Sequence, residues 1–169
     1  MYDYHFSEKA LSIWVMINQT WTAMRTAEER KLAKTRLTPE KLSVLWALVN
    51  HNNPLTPAEI SRLLFRTSQT IAGLLARMEK EGLITRVPKR KGHPFTEIFI
   101  TDKGRELLRP GAEVSLGIIT DIMSSLTDEE QDQLQALMRK LRGAATEELH
   151  IEPSPPPGRS PGEVISVEL

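Results

Sequence analysis

The stretch Thr56-Pro57-Ala58-Glu59-Ile60-Ser61-Arg62-Leu63-Leu64-Phe65-Arg66-Thr67-Ser68-Gln69-Thr70-Ile71, continued by Ala72-Gly73-Leu74-Leu75-Ala76-Arg77-Met78-Glu79-Lys80-Glu81-Gly82-Leu83-Ile84, decides the fold. Thr56, Pro57 and Glu59 supply an N-cap hydroxyl, a proline at the first helical position and a glutamate at the third, a capping box in front of Ile60, Leu63 and Leu64. Arg66-Thr67-Ser68 offers a new cap within two turns, so this helix is short. A longer one follows from about Ser68 to Glu81, with Ile71, Leu74, Leu75 and Met78 on its inner face. Gly82 stands where a helix end takes a left-handed residue, and Leu83 is its hydrophobic partner. The period then changes. Leu83–Val87 and Thr96–Thr101 alternate by two, as strands do, around the basic, proline-bounded turn Pro88-Lys89-Arg90-Lys91-Gly92-His93-Pro94.

Helices flank this centre on both sides. From about residue 7 to 33, Leu11, Trp14, Ile17, Trp21 and Met24 recur at spacings of three and four. Thr38-Pro39 caps a second helix burying Leu42, Leu45, Trp46 and Val49, which ends in the turn cluster His51-Asn52-Asn53-Pro54. After the hairpin, Asp102 to Leu126 reads as helix, with Leu107, Leu108, Val114, Ile118 and Ile122 inward and a kink at Pro110-Gly111. Thr127-Asp128-Glu129-Glu130 is another capping box, opening a last helix with Leu134, Leu137, Met138 and Leu141. From Ile151 the composition turns to proline and glycine, a tail that forms neither helix nor core.

The fold class is therefore mainly α with a small β hairpin (α+β): a winged helix-turn-helix between N- and C-terminal helices. The segments divide as 1–36, 37–101, 102–150 and the tail 151–169. Leu63-Leu64-Phe65-Arg66-Thr67-Ser68-Gln69-Thr70, then Leu75 to Ile84, then Ile100-Thr101-Asp102-Lys103-Gly104, resemble the MarR family of bacterial transcription regulators over roughly residues 10 to 145. That resemblance implies a homodimer, its terminal helices interlocked across a two-fold axis (1–36 and 102–150 as the dimerisation segments), on a pseudo-palindromic operator with half-sites about one helical turn apart. It also implies repression by promoter occlusion.

The chemistry of the residues agrees. A recognition helix presents its leading end to base edges, which calls for short or polar side chains; Thr67, Ser68, Gln69, Thr70, Ala72 and Gly73 meet that need. Gln69 can bond adenine in bidentate fashion, and Ser68 and Thr70 reach bases or phosphates, although capping the helix is an equally ordinary task for Ser68 or Gln69. Arg66 and Arg77 stand between phosphate contacts and intramolecular partners, and Arg86 is a further candidate DNA contact. Lys89, Arg90, Lys91 and His93 form a wing tip placed for the minor groove or its phosphates. The family's Asp-x-Arg wing brace is absent, since no acid lies between Arg86 and Glu97; wing conformation is left to Pro88, Pro94 and bound DNA.

Composition bounds the rest. The chain has 169 residues, zero formal net charge and no cysteine, which excludes disulfides, thiolate metal sites and a cysteine nucleophile. The zero net charge hides a split: residues 62–93 carry +6 and residues 113–152 carry −6, a basic centre beside an acidic C-terminal third. Apolar runs such as Ile13–Ile17 are far short of the ~18–20 residues that span a bilayer, and the N-terminus lacks a signal-peptide pattern, so a cytoplasmic protein without membrane contact is expected. His5, His51, His93 and His150 are scattered without metal-ligand spacing, and no phosphate loop or nucleophile elbow occurs, so neither an enzyme nor a metal or cofactor is expected. The family's small aromatic or anionic effectors, bound between dimerisation helices and winged module, make Trp14, Ile17, Trp21, Trp46 and His51 pocket candidates; their spacing equally suits a plain core. The competing reading is a winged helix that binds protein, with the proline-rich tail as docking segment.

Overall fold

A computed structural model describes residues 6–51, 54–88 and 96–149. It contains six helices and one hairpin, in the order α1 (Lys9–Leu32), α2 (Pro39–Asn50), α3 (Pro57–Leu63), α4 (Ser68–Lys80), β1 (Ile84–Pro88), β2 (Thr96–Ile100), α5 (Asp102–Met123) and α6 (Asp128–Glu148). The helix starts follow the capping residues. Thr38, Thr56, Thr67, Thr101 and Thr127 each accept from a backbone N–H of the following first turn. Thr56 and Thr127 complete reciprocal capping boxes with Glu59 and Glu130.

β1 and β2 pair antiparallel with Ile84 opposite Ile100 and Pro88 opposite Thr96. A third rung joins them: Leu55, ahead of α3, bridges Ile98, whose N–H donates to the Leu55 carbonyl at 2.8 Å. One core holds Leu42, Val44, Leu45, Leu55, Ile60, Ile71, Leu75, Met78, Leu83, Ile84 and Ile98, and it also takes Leu32 from α1 and Ala112 from α5. The end of α1 and the first half of α5 thus pack with the winged module. Deeper along the same pair of helices, the buried Ser115 hydroxyl donates to Glu28 Oε1 at 2.6 Å, a fixed link between α5 and α1.

Several expectations shift. On α2, Val44 rather than Val49 is buried, because α2 meets α3, α4 and β2 on one side and α5 on another, which widens its covered face. α5 is a single helix through Pro110 and ends at Met123, three residues before Leu126. Leu107, Leu108 and Val114 pack against the core as expected, and the closest backbone approach is made by Gly104 and Gly111: a Cβ on Gly104 would lie 2.2 Å from the Leu83 carbonyl oxygen. The stripe on the first half of α1 is not covered, with Trp14 66% and Trp21 56% exposed. α6 has no buried residue at all. The tail and the wing tip fall outside the described residues.

Candidate nucleic-acid interface

The local geometry of α4 frees its leading end. Thr67, not Ser68 or Gln69, is the N-cap: its Oγ1 accepts from the Thr70 N–H at 3.2 Å and lies 2.9 Å from the Thr70 hydroxyl. Thr67 itself, Ser68, Gln69 and Thr70 are all exposed. Ile71, Leu74, Leu75 and Met78 anchor the opposite face in the core. The helix therefore offers Ser68, Gln69, Ala72, Gly73, Ala76 and Arg77 along an outward edge built mostly of small side chains. The Arg77 guanidinium folds back along this edge, 3.7 Å from the point where a Cβ on Gly73 would stand. Arg62 and Arg66 are exposed and take no ion pair among the described residues.

Arg86 is oriented differently. From β1 it reaches Glu79 on α4, Nε to Oε2 at 3.1 Å, with its side chain two-thirds buried. The Nε–H is not aimed along that line, so the contact is one of charge rather than a hydrogen bond, and Arg86 Nε and one terminal nitrogen are buried without a hydrogen-bond partner among the described residues. Glu79 is a residue that sequence reasoning passed over; its spacing along α4 marks it only as exposed, and the ion pair needs the hairpin folded back to be seen. Lys89, Arg90, Lys91 and His93 lie outside the described residues.

The far end of α4 is clamped. Gly82 adopts φ +73°. Lys103 Nζ donates to the Glu81 carbonyl at 2.6 Å and the Thr101 hydroxyl to the Gly82 carbonyl at 2.7 Å. The Thr101 N–H donates to the Leu83 carbonyl at 3.1 Å. Three successive carbonyls following α4 are thus held by the start of α5. On the α2 side, Lys41 Nζ meets the Glu81 carboxylate at 2.7 Å.

The pocket candidates do not converge. A cavity of about 170 Å³ lies between α2 and α5, lined by Trp46, Val49, Asn50, Arg105, Leu108, Arg109 and Ala112. Of the five sequence candidates only Trp46 belongs to it. Trp14 and Ile17 lie on the first half of α1, and the Trp21 ring carries the Arg25 guanidinium at 5.9 Å. Arg25 in turn pairs with Glu40 and Glu29, so that corner is an ion-pair cluster joining α1 to α2. His51 is turned to its own helix, Nδ1 2.6 Å from the Ala47 carbonyl. The reason is register: α5, not α1, lies over the Trp46 face of α2. Arg105 and Arg109 were missed because their spacing on α5 reads as a solvated face.

Residues 37–93 match the family model described as the MarR family. The chain is 26% identical over 117 residues to the HTH-type transcriptional regulator PecS of Dickeya dadantii, covering 68% of this chain and 70% of that protein. It is 27% identical over 110 residues to the HTH-type transcriptional repressor IacR of Pseudomonas putida, covering 65% of each. Among solved structures, the organohalide-sensing regulator RdhR in its 2,4-dichlorophenol-bound form superposes with a TM-score of 0.79 at 25% identity, over 88% of this chain and 90% of that one. MepR of S. aureus, in complex with DNA, superposes with a TM-score of 0.71 at 26% identity, over 83% of this chain and 99% of that one. The matched segment spans α2 to β1, the elements that present the outward edge of α4, and the superpositions extend over most of the flanking helices. Residues 37–93 are thus a MarR-family segment, and the chain around them is similar in sequence and fold to winged helix-turn-helix transcription regulators.

Proposed function

We propose that this protein is a sequence-specific duplex-DNA-binding repressor that acts as a homodimer and is released by a small aromatic, anionic effector. One observation carries the DNA reading: Thr67 takes over the capping task, so Ser68 and Gln69 are left exposed at the leading end of a helix otherwise anchored by four buried side chains. Gln69 reads adenine; Ser68 and Thr70 reach neighbouring bases or phosphates; Arg66, Arg77 and the wing residues Lys89, Arg90, Lys91 and His93 neutralise phosphates. Arg86, tied to Glu79, supports the wing from behind.

The homodimer rests on α6, which carries Leu134, Leu137, Met138 and Leu141 on one exposed stripe and buries nothing within its own protomer. A helix of this kind gains its stability from packing an apolar face. For the effector, the cavity between α2 and α5 pairs an indole with Arg105 and with Arg109, the latter 3.5 Å from Glu113 Oε1, which leaves Arg105 as the cation for an aromatic ring bearing an acid. An effector that favours one spacing of the two recognition helices over another lowers DNA affinity by that difference in binding free energy.

The test is a selection of bound duplexes from the source genome, followed by fluorescence anisotropy. Tight binding to enriched duplexes, with affinity falling steeply as salt rises, supports the reading. Undetectable binding to any duplex at low salt would give the protein-docking alternative its place. Arg105→Ala is expected to leave DNA affinity unchanged and to abolish release by an aromatic acid that releases the parent protein.

A further inference from the structure

The two ends of the helix-turn-helix close with the same backbone motif and different residues. After α4, the N–H of Gly82 donates to Glu79 and that of Leu83 to Met78. After α3, the N–H of Phe65 donates to Arg62 at 3.2 Å and that of Arg66 to Ser61 at 3.0 Å. Both are the paired bonds of a helix-ending left-handed turn, in which glycine is the usual occupant because a Cβ is crowded there. Gly82 obeys the rule at φ +73°; Phe65 breaks it at φ +50°. A bulky side chain in this conformation is strained, and such strain persists only where something else is gained.

Burial does not supply that gain, because Phe65 is 55% exposed. The turn is held without the ring: the Ser61 hydroxyl donates to the Arg66 carbonyl, and Thr67 caps α4 directly afterwards. The side chain therefore stands more than half exposed two residues before the cap of the recognition helix. On either side are Arg62 and Arg66, exposed cations with no ion pair among the described residues. An exposed apolar ring between two exposed arginines in the chain fits a surface that alternates apolar and anionic patches, as the sugar, thymine methyl and phosphate of a duplex do.

We infer that Phe65 is a DNA-contacting residue, its ring packing on the apolar edge of the duplex, a thymine methyl or a deoxyribose, where α4 enters the groove. This rests on the DNA-binding reading above and adds to it an apolar contact that charge and hydrogen bonding do not provide.

The experiment uses the full chain and the duplex enriched by the selection described above, made once with thymine and once with uracil at every thymine position. Phe65→Gly and Phe65→Asn both suit the left-handed turn. Both variants are expected to melt at or above the parent temperature and to bind the thymine duplex at least tenfold more weakly. If the uracil duplex weakens the parent protein equally and leaves the variants unaffected, the partner is a thymine methyl. If the variants lose the same factor on both duplexes, it is deoxyribose. Affinity within twofold of the parent on both duplexes would overturn the assignment. So would a lower melting temperature for both variants, which would make the ring a support of the turn. A parent protein that enriches no duplex would instead sink the DNA-binding reading itself.

Discussion

At the leading end of α4, two neighbouring side chains divide the labour, and mutation separates them. The Thr67 hydroxyl holds the first turn through the Thr70 N–H. Thr67→Ala is expected to cost about 1 kcal/mol of folding stability in equilibrium denaturation, since one of the orphan donors of the helix start loses its acceptor. Gln69 is exposed and takes no part in capping. Gln69→Ala should leave the melting temperature unchanged and weaken binding to the enriched duplex by about 1–3 kcal/mol, with no effect on random duplex. Equal loss on both duplexes in anisotropy titrations would remove Gln69 from the base-reading set.

The Glu79–Arg86 pair ties the hairpin to α4. Glu79 and Arg86 are each partly exposed, so their attraction alone contributes little, about 0.2–1 kcal/mol. The larger cost is already present in the folded protein: two Arg86 guanidinium nitrogens are buried without hydrogen-bond partners among the described residues. Glu79→Ala is expected to cost no more than about 1 kcal/mol in urea denaturation, the attraction it removes, and Glu79→Leu combined with Arg86→Met to be neutral or stabilising, because the unpartnered guanidinium is then gone. This element also shows where sequence reasoning reaches and where it stops. Caps such as Thr56 with Glu59, the inner face of α4 and the glycine turn at Gly82 are short-range patterns, and each stands where the chain chemistry puts it. The Leu55 rung, the Glu79–Arg86 pair and the Trp46 cavity join residues far apart in the chain, and no local periodicity announces them. Phe65 escaped notice because its peculiarity is a backbone angle, invisible in a run of letters.

For the whole molecule, the decisive surface is the one left open. Leu137 is 58% exposed on a helix with nothing buried. Covering a leucine of this kind contributes about 1.5–3 kcal/mol when complete. Leu137→Asp with Leu141→Asp is expected to give a monomer in analytical ultracentrifugation. That monomer should lose the enriched duplex and keep a shallower salt dependence, because one protomer neutralises half as many phosphates. A dimer that persists with both aspartates would place the subunit contact elsewhere. The bonds from Lys103 and Thr101 to the three carbonyls after α4 carry a mechanical meaning. With Gly104 pressed against Leu83 there is no slack at this joint. α5 and α4 are therefore joined as a crank and its arm, and an effector of the proposed kind, wedged under the shaft at Trp46, is expected to shift the arm as well.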